Sequence, residues 1–237
     1  MRIIRLIIAI LSISFVACNH ETEDFVFDES TENYQMYDYY IDKYGNEGIV
    51  VYSGYYGEGY LLMVISADES YQSWGPMGMD LYPYDTITKN YINEPYFGIA
   101  MLQSMKSIGI NAFHAQAWCD SKNKGDQHPY GGSWHLPTYR DIELCLKTES
   151  RINWINQALM DIGATPISVD SMYWTCVEDF PNYVVLNSDT NGVNFDPSNR
   201  AVATTPTLRF YVDRDRWLKQ NKHHVRAIKY VYYKRKK

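Results

Sequence analysis

Between Leu208 and Trp217 the chain interleaves rings with charges: Arg209, Tyr211, Asp213, Arg214 and Trp217 fall within nine positions. Flat aromatic faces stack on sugar rings, and guanidinium and carboxylate groups hold hydroxyls or sulfates through paired hydrogen bonds. These five are the candidate ligand-binding residues; the same run also fits a strand with a salt-bridged solvent face followed by a loop. Asp189-Thr190-Asn191-Gly192 with Asp196 offers oxygens at alternate positions beside a glycine, as calcium loops do. It lacks a terminal bidentate glutamate, and an Asn-Gly hairpin turn accounts for the same residues, so no metal is expected. His223 and His224 are neighbours, and on a strand they point to opposite faces. His114 and Cys119 are not four apart, and no Gly-x-Ser-x-Gly elbow occurs. No catalytic centre and no cofactor are expected.

The elements that must position these residues follow from periodicity. Gly48 to Tyr52 and Gly59 to Ile65 are apolar runs separated by glycines, which predicts a hairpin. Trp74-Gly75-Pro76 and Tyr82-Pro83-Tyr84 have loop chemistry. Pro95 suits a first helical turn, with Ile99, Leu102 and Met105 on one stripe and Gly109 as the stop; a second helix is expected from Asn111, with Ala112, Ala115 and Cys119 inward. Thr138 caps the next helix, with Asp141 three residues on and Ile142, Cys145 and Leu146 as its buried stripe. Ile152, Ile155, Leu159 and Ile162 mark a further helix ending at Gly163. Met172 to Val177, Tyr183 to Leu186 and Val193 to Phe195 have strand character, a polar excursion runs to about Lys222, and Val225 to Val231 is the expected last strand. Strands, a helical middle and strands again make an α+β domain rather than alternating βαβ units.

The composition is globular, with 46% hydrophobic and 21% charged residues, and 22 tyrosines in 237 positions suit wet binding surfaces or tyrosine-lined sheets. Arg2 and Arg5 precede the apolar stretch Leu6 to Phe15, which has the layout of a secretory signal peptide. Its end, Phe15-Val16-Ala17-Cys18, resembles the lipobox of bacterial lipoproteins, with Phe15 where leucine is commoner. The resemblance implies cleavage after residue 17 and lipidation of Cys18; at about 0.8 kcal/mol per buried CH₂, two or three chains anchor a protein effectively permanently. Residues 18–33 hold acidic side chains and no Lys or Arg, a solvated tether. An acidic stretch behind a lipidated cysteine resembles the surface-export signal of Bacteroidetes-type lipoproteins, and Asn19 departs from the aspartate of inner-membrane retention. Loss of Arg2 and Arg5 lowers the basic count from 22 to 20 against 28 acids, a net charge of −8, which argues against a nucleic-acid partner. With Cys18 lipidated, Cys119, Cys145 and Cys176 allow at most one disulfide, buried free thiols are at least as well supported, and no C-x-x-C or His spacing favours zinc.

Three ordered motifs carry a family resemblance: Gly132-Ser133-Trp134-His135-Leu136-Pro137-Thr138 with Asp141, then Tyr173-Trp174-Thr175 with Glu178, then Val225-Arg226-Ala227-Ile228. Together with the Gly48 to Ile65 hairpin they resemble the Fibrobacter major paralogous domain, also called domain of unknown function 1566, over roughly Tyr44 to Val231. The resemblance implies a single C-type-lectin-like α+β domain over 34–237, with a mixed sheet and packed helices. One copy in that family, at the C-terminus of a collagen-like bacterial adhesin, is associated with glycosaminoglycan binding. Expected from this are a surface-exposed, lipid-anchored outer-membrane protein and non-catalytic adhesion or glycan binding. The alternative is an assembly subunit that docks on another envelope protein. The chain departs from the pattern by a segment of about Asn199 to Lys222 before the last strand. Trp134, Pro137, Thr138, Asp141, Trp174 and Arg226 are expected to be structural: the indoles filling the core, Pro137 stiffening the approach to a helix, and Arg226 pairing with an internal carboxylate.

Overall fold

The computed structural model describes residues 34–56, 59–78, 81, 97–124, 132–146, 148–178, 200–204 and 214–234. These residues form a mixed helix-and-strand, α+β arrangement with two largely antiparallel sheets. The first sheet has the order β1-β2-β3-β9: Tyr39–Ile41, Glu47–Tyr56, Gly59–Ser66 and Ile228–Lys234, all antiparallel. The second has the order β4-β8-β5-β6-β7: Ser70–Ser73, Lys222–Val225, Tyr173–Glu178, Arg200–Thr204 and Arg214–Leu218. Within it β5 and β8 run parallel.

The near-continuous apolar runs of β2 and β3 follow from burial on both faces of the first sheet. Tyr40, Val50, Leu62, Val64 and Val231 turn to one side, where they meet Trp74, Trp134, Trp174 and the helices α1 (Phe97–Ile108) and α2 (His114–Asp120). Ile49, Val51, Leu61, Met63, Ile65, Ile228 and Tyr230 turn to the other, against α3 (Tyr139–Leu146) and α4 (Glu149–Asp161). A register shift between Val50 and Tyr52 inserts Val51 as a bulge in β2. Gly109, at φ 130°, ends α1 in a backbone conformation that side chains disfavour.

Several local expectations are corrected. The helix expected from Asn111 is a 3₁₀ turn over Ile110–Ala112 followed by α2, because Phe113 sits between them with φ −106° and ψ 80°, outside the helical region. Ala115 and Cys119 are buried as a helical stripe requires, whereas Ala112 is exposed. The polar excursion before Lys222 contains two strands, β6 and β7, paired antiparallel from Arg200↔Leu218 to Thr204↔Arg214. The single last strand is two: β8 ends at Val225 in the second sheet, and β9 begins at Ile228 in the first. Arg226 and Ala227 are the crossing between sheets, and hydrogen bonds from the Ser66 amide to Ala227 O (2.8 Å) and from the Ala227 amide to Ser66 Oγ (3.1 Å) pin it.

Candidate functional site

The motif residues build three buried polar knots, two from Gly132 to Asp141 and one around Arg226 that Tyr173 of the second motif joins. Gly132 to His135 runs along the outer edge of β9: the Gly132 amide donates to Tyr230 O, and His135 and Ile228 exchange both backbone hydrogen bonds at 2.9 Å. Asn123 clamps Trp134, its Oδ1 accepting from the Trp134 amide (2.6 Å) and its Nδ2 donating to the Trp134 carbonyl (2.9 Å). The fully buried indole then donates to Asp42 Oδ2 at 2.9 Å. Asp42 also accepts from the Tyr44 and Asn46 amides and from Asn46 Nδ2, and Lys229 Nζ lies 3.3 Å from Oδ2. Burial pushes the Asp42 carboxyl upward, but the Trp134 and Asn46 hydrogen bonds, with the Lys229 charge, outweigh it and hold the group below its ordinary value.

The second knot closes the start of α3. Thr138 Oγ1 accepts from the Asp141 amide (3.1 Å), and Asp141 Oδ2 accepts from both the Thr138 amide and its hydroxyl at 2.7 Å, a capping box with aspartate in the reciprocal position. Tyr230 donates its hydroxyl to the other carboxylate oxygen, so β9 is tied to α3. Burial first, then the Asp141 charge, pushes the Tyr230 phenol well above its usual value. The Cys176 amide donates to Pro137 O at 2.8 Å, which joins β5 to the same turn.

Arg226 makes the third. Its Nη1 donates to Ser66 O and Ala67 O (3.0 and 3.1 Å), and its Nη2 to Thr165 O and Glu69 Oε2 (both 2.7 Å). A planar fork that bridges three carbonyls and a carboxylate is what arginine, unlike lysine, supplies. The other oxygen of Glu69 lies 3.1 Å from His224 Nδ1, and Tyr173 donates its hydroxyl to Oε2 at 3.3 Å. Burial, then the Glu69 charge, raises the Tyr173 phenol to about 12. Two indoles cross-tie the second sheet, Trp74 Nε1 donating to Thr175 O (2.8 Å) and Trp174 Nε1 to Gln72 O (2.9 Å).

The chemistry open to these groups is narrow. Asp141, Arg226 and the carboxylates of Asp42 and Glu69 hold backbone and one another's partners in place. Cys119, Cys145 and Cys176 are free and buried, and burial pushes each thiol well above its ordinary value, away from the thiolate that nucleophilic work needs. Among the described residues no group of three His, Cys, Asp or Glu is placed to hold a metal ion. Ser73 Oγ and His114 Nδ1 are 2.6 Å apart on the surface, and among the described residues no carboxylate hydrogen-bonds that ring.

Of the candidate ligand residues, Arg214 and Trp217 lie on β7, opposite Thr204 and Ala201 at the outer edge of the second sheet. Arg209, Tyr211 and Asp213 lie outside the described residues, as do Cys18, the Asp189 to Gly192 turn and Asp196. The partners that complete the knots, Asp42, Glu69 and Tyr230, are not among the residues singled out from sequence. Each is far along the chain from the motif residue it serves, 92 positions from Trp134, 157 from Arg226 and 89 from Asp141, and only the Asp42 to Asn46 turn carries a local signal. Comparison with family models, curated proteins and solved structures finds no match.

Proposed function

We propose that the chain is a lipid-anchored, surface-exposed outer-membrane lipoprotein whose lectin-like domain binds glycans without catalysis. The family resemblance and the lipobox motivate the location and the class. One observation supports the binding reading most directly. The motif charges Asp141 and Arg226 are turned into the interior, while large rings stand on the outside: Tyr39, Tyr71 and Trp154 are 41%, 57% and 60% exposed. Exposed Tyr and Trp present rigid, amphipathic faces that contact a ligand at low conformational cost. The Arg209 to Trp217 segment adds rings and guanidinium groups of the same recognition chemistry.

Affinity electrophoresis of the detergent-solubilised full chain in gels containing soluble polysaccharides tests this. Retardation in at least one polysaccharide is expected, reduced in the Arg209→Ala, Tyr211→Ala, Trp217→Ala triple variant with an unchanged melting temperature. A wild-type protein that is never retarded contradicts the reading. Collapse of melting in the triple variant assigns those residues to the core instead.

A further inference from the structure

An aromatic platform stands at the outer edge of the first sheet, on strand β1 and the turn before it. Trp154 lies on the polar side of α4, two residues from Ile152, which is buried; its indole is 60% exposed and stacks on Tyr37, with ring centroids 6.3 Å apart and planes inclined by 27°. Tyr37 adopts φ 75°, and it is the sole non-glycine residue with positive φ among the described residues. It sits in the turn closed by the Asp38 amide on Gln35 O, at the position that favours glycine. A tyrosine held there, with its amide donating to Val50 O at 2.6 Å, keeps a ring against Trp154 at the expense of backbone strain. Tyr39 and Ile41, 41% and 48% exposed, alternate on β1 with buried Tyr40, so they continue the ring surface on the side of Ile49, the strand partner of Tyr39.

The groups around the rings decide what they take. Glu47 accepts a hydrogen bond from the Tyr39 hydroxyl, which raises that phenol. Asp38 is exposed beside Tyr37, and Gln157, three residues beyond Trp154, donates to Asp161 at 2.7 Å. The arginine on this side, Arg151, donates to Leu144 O. Planar rings bordered by amide and carboxylate groups suit a saccharide with apolar C–H faces and hydroxyl donors, and Asp38, Glu47 and Asp161 outnumber the Arg151 charge, which disfavours sulfate and uronate.

We propose that Tyr37, Tyr39 and Trp154 form a stacking site for an uncharged glycan and select against sulfated ones. The proposal rests on the glycan-binding reading and names both a surface and a ligand class for it. Calorimetric titration of the full chain in detergent with cellohexaose, xylohexaose, mannohexaose and a heparin hexasaccharide tests it, using wild type, Trp154→Ala and Tyr37→Gly. Saturable binding of a neutral hexasaccharide, weakened by about tenfold or more in Trp154→Ala as loss of one stacking ring implies, is expected. Tyr37→Gly relaxes the strained turn, so its melting temperature should hold while its affinity falls. Neutral-glycan binding that survives both substitutions overturns the platform and leaves the glycan reading standing. Binding of heparin alone overturns the uncharged class. Binding of no hexasaccharide overturns the platform, and the glycan reading then falls or stands with retardation of the wild type in polysaccharide gels.

Discussion

Replacing His135 should remove a defined part of the acid sensitivity of the fold. The ring is fully buried beside Tyr230 and Gly98, and Nδ1, 2.8 Å from Ser133 O, donates to that carbonyl. Nε2 is therefore the unprotonated nitrogen, and among the described residues it has no hydrogen-bond partner. Protonation would place a charge in a site without compensation; burial pushes the pKa down to about 4 from 6.5, against a smaller upward pull from Ser133 O. Between those values the unfolded chain binds a proton that the folded chain refuses. Stability is complete above pH 6.5 and falls as pH drops toward 4, by about 3 kcal/mol in the limit, most of it by pH 4.5. His223, whose pKa is also lowered by burial and then by His224, acts in the same direction, so the difference between two proteins isolates the His135 share. Urea unfolding of wild type and His135→Phe at pH 7.5, 6.0 and 4.5 provides the comparison. His135→Phe should be less stable at pH 7.5 by about 1 kcal/mol for the lost hydrogen bond, yet lose roughly 2–3 kcal/mol less than wild type on going to pH 4.5. Parallel pH profiles for the two proteins would refute the buried neutral imidazole.

The other predictions concern the same frame. Gly98→Ala should lower the melting temperature, because its Cβ would lie 2.5 Å from His135 Cδ2 and 3.1 Å from Leu136 O; pairing it with a smaller residue at 135 should restore most of the loss. Arg226→Met should destabilise the protein by about 3–5 kcal/mol in urea, since it leaves Glu69 and three carbonyls without their donor, while Glu69→Gln should destabilise less. Thr138→Ala should lose about 1 kcal/mol as a missing helix cap. Cys119, Cys145 and Cys176 should be silent to a thiol reagent in the native protein and all three should react once urea unfolds it; fast native labelling would contradict their burial.

Much of the frame is legible in the sequence, because it depends on local periods. The β2 and β3 runs, the stripe Ile152, Ile155, Leu159 and the Thr138 cap with Asp141 all follow from spacing within one element. Trp154 is not among the residues named from sequence, although its place off the stripe Ile152, Ile155, Leu159 is the signal that marks it as facing outward. What the sequence hid depends on contacts between distant segments. Val225 to Val231 looks like one strand because Val, Ala, Ile, Tyr and Val recur through seven positions with no Gly or Pro, yet Arg226 leaves the ladder to bind Glu69, 157 positions earlier, and this splits the strand between two sheets. The strands β6 and β7 are short, β7 carries two Arg and an Asp in five residues, and both are held by pairing, β6 between β5 and β7, rather than marked by an apolar run. Asp42 and Trp134, 92 positions apart, show why an indole motif can be found from sequence while its acceptor cannot.

The claim that glycan recognition lies on the outer rings, with the motif charges serving the frame, meets its most direct test on a glycan microarray probed with the detergent-solubilised full chain and with Trp154→Ala. Saturable binding to uncharged glycans by the wild type, lost in the variant while both unfold at the same temperature, is the expected result. A silent array with protein that unfolds cooperatively would contradict it and would favour docking on another envelope protein.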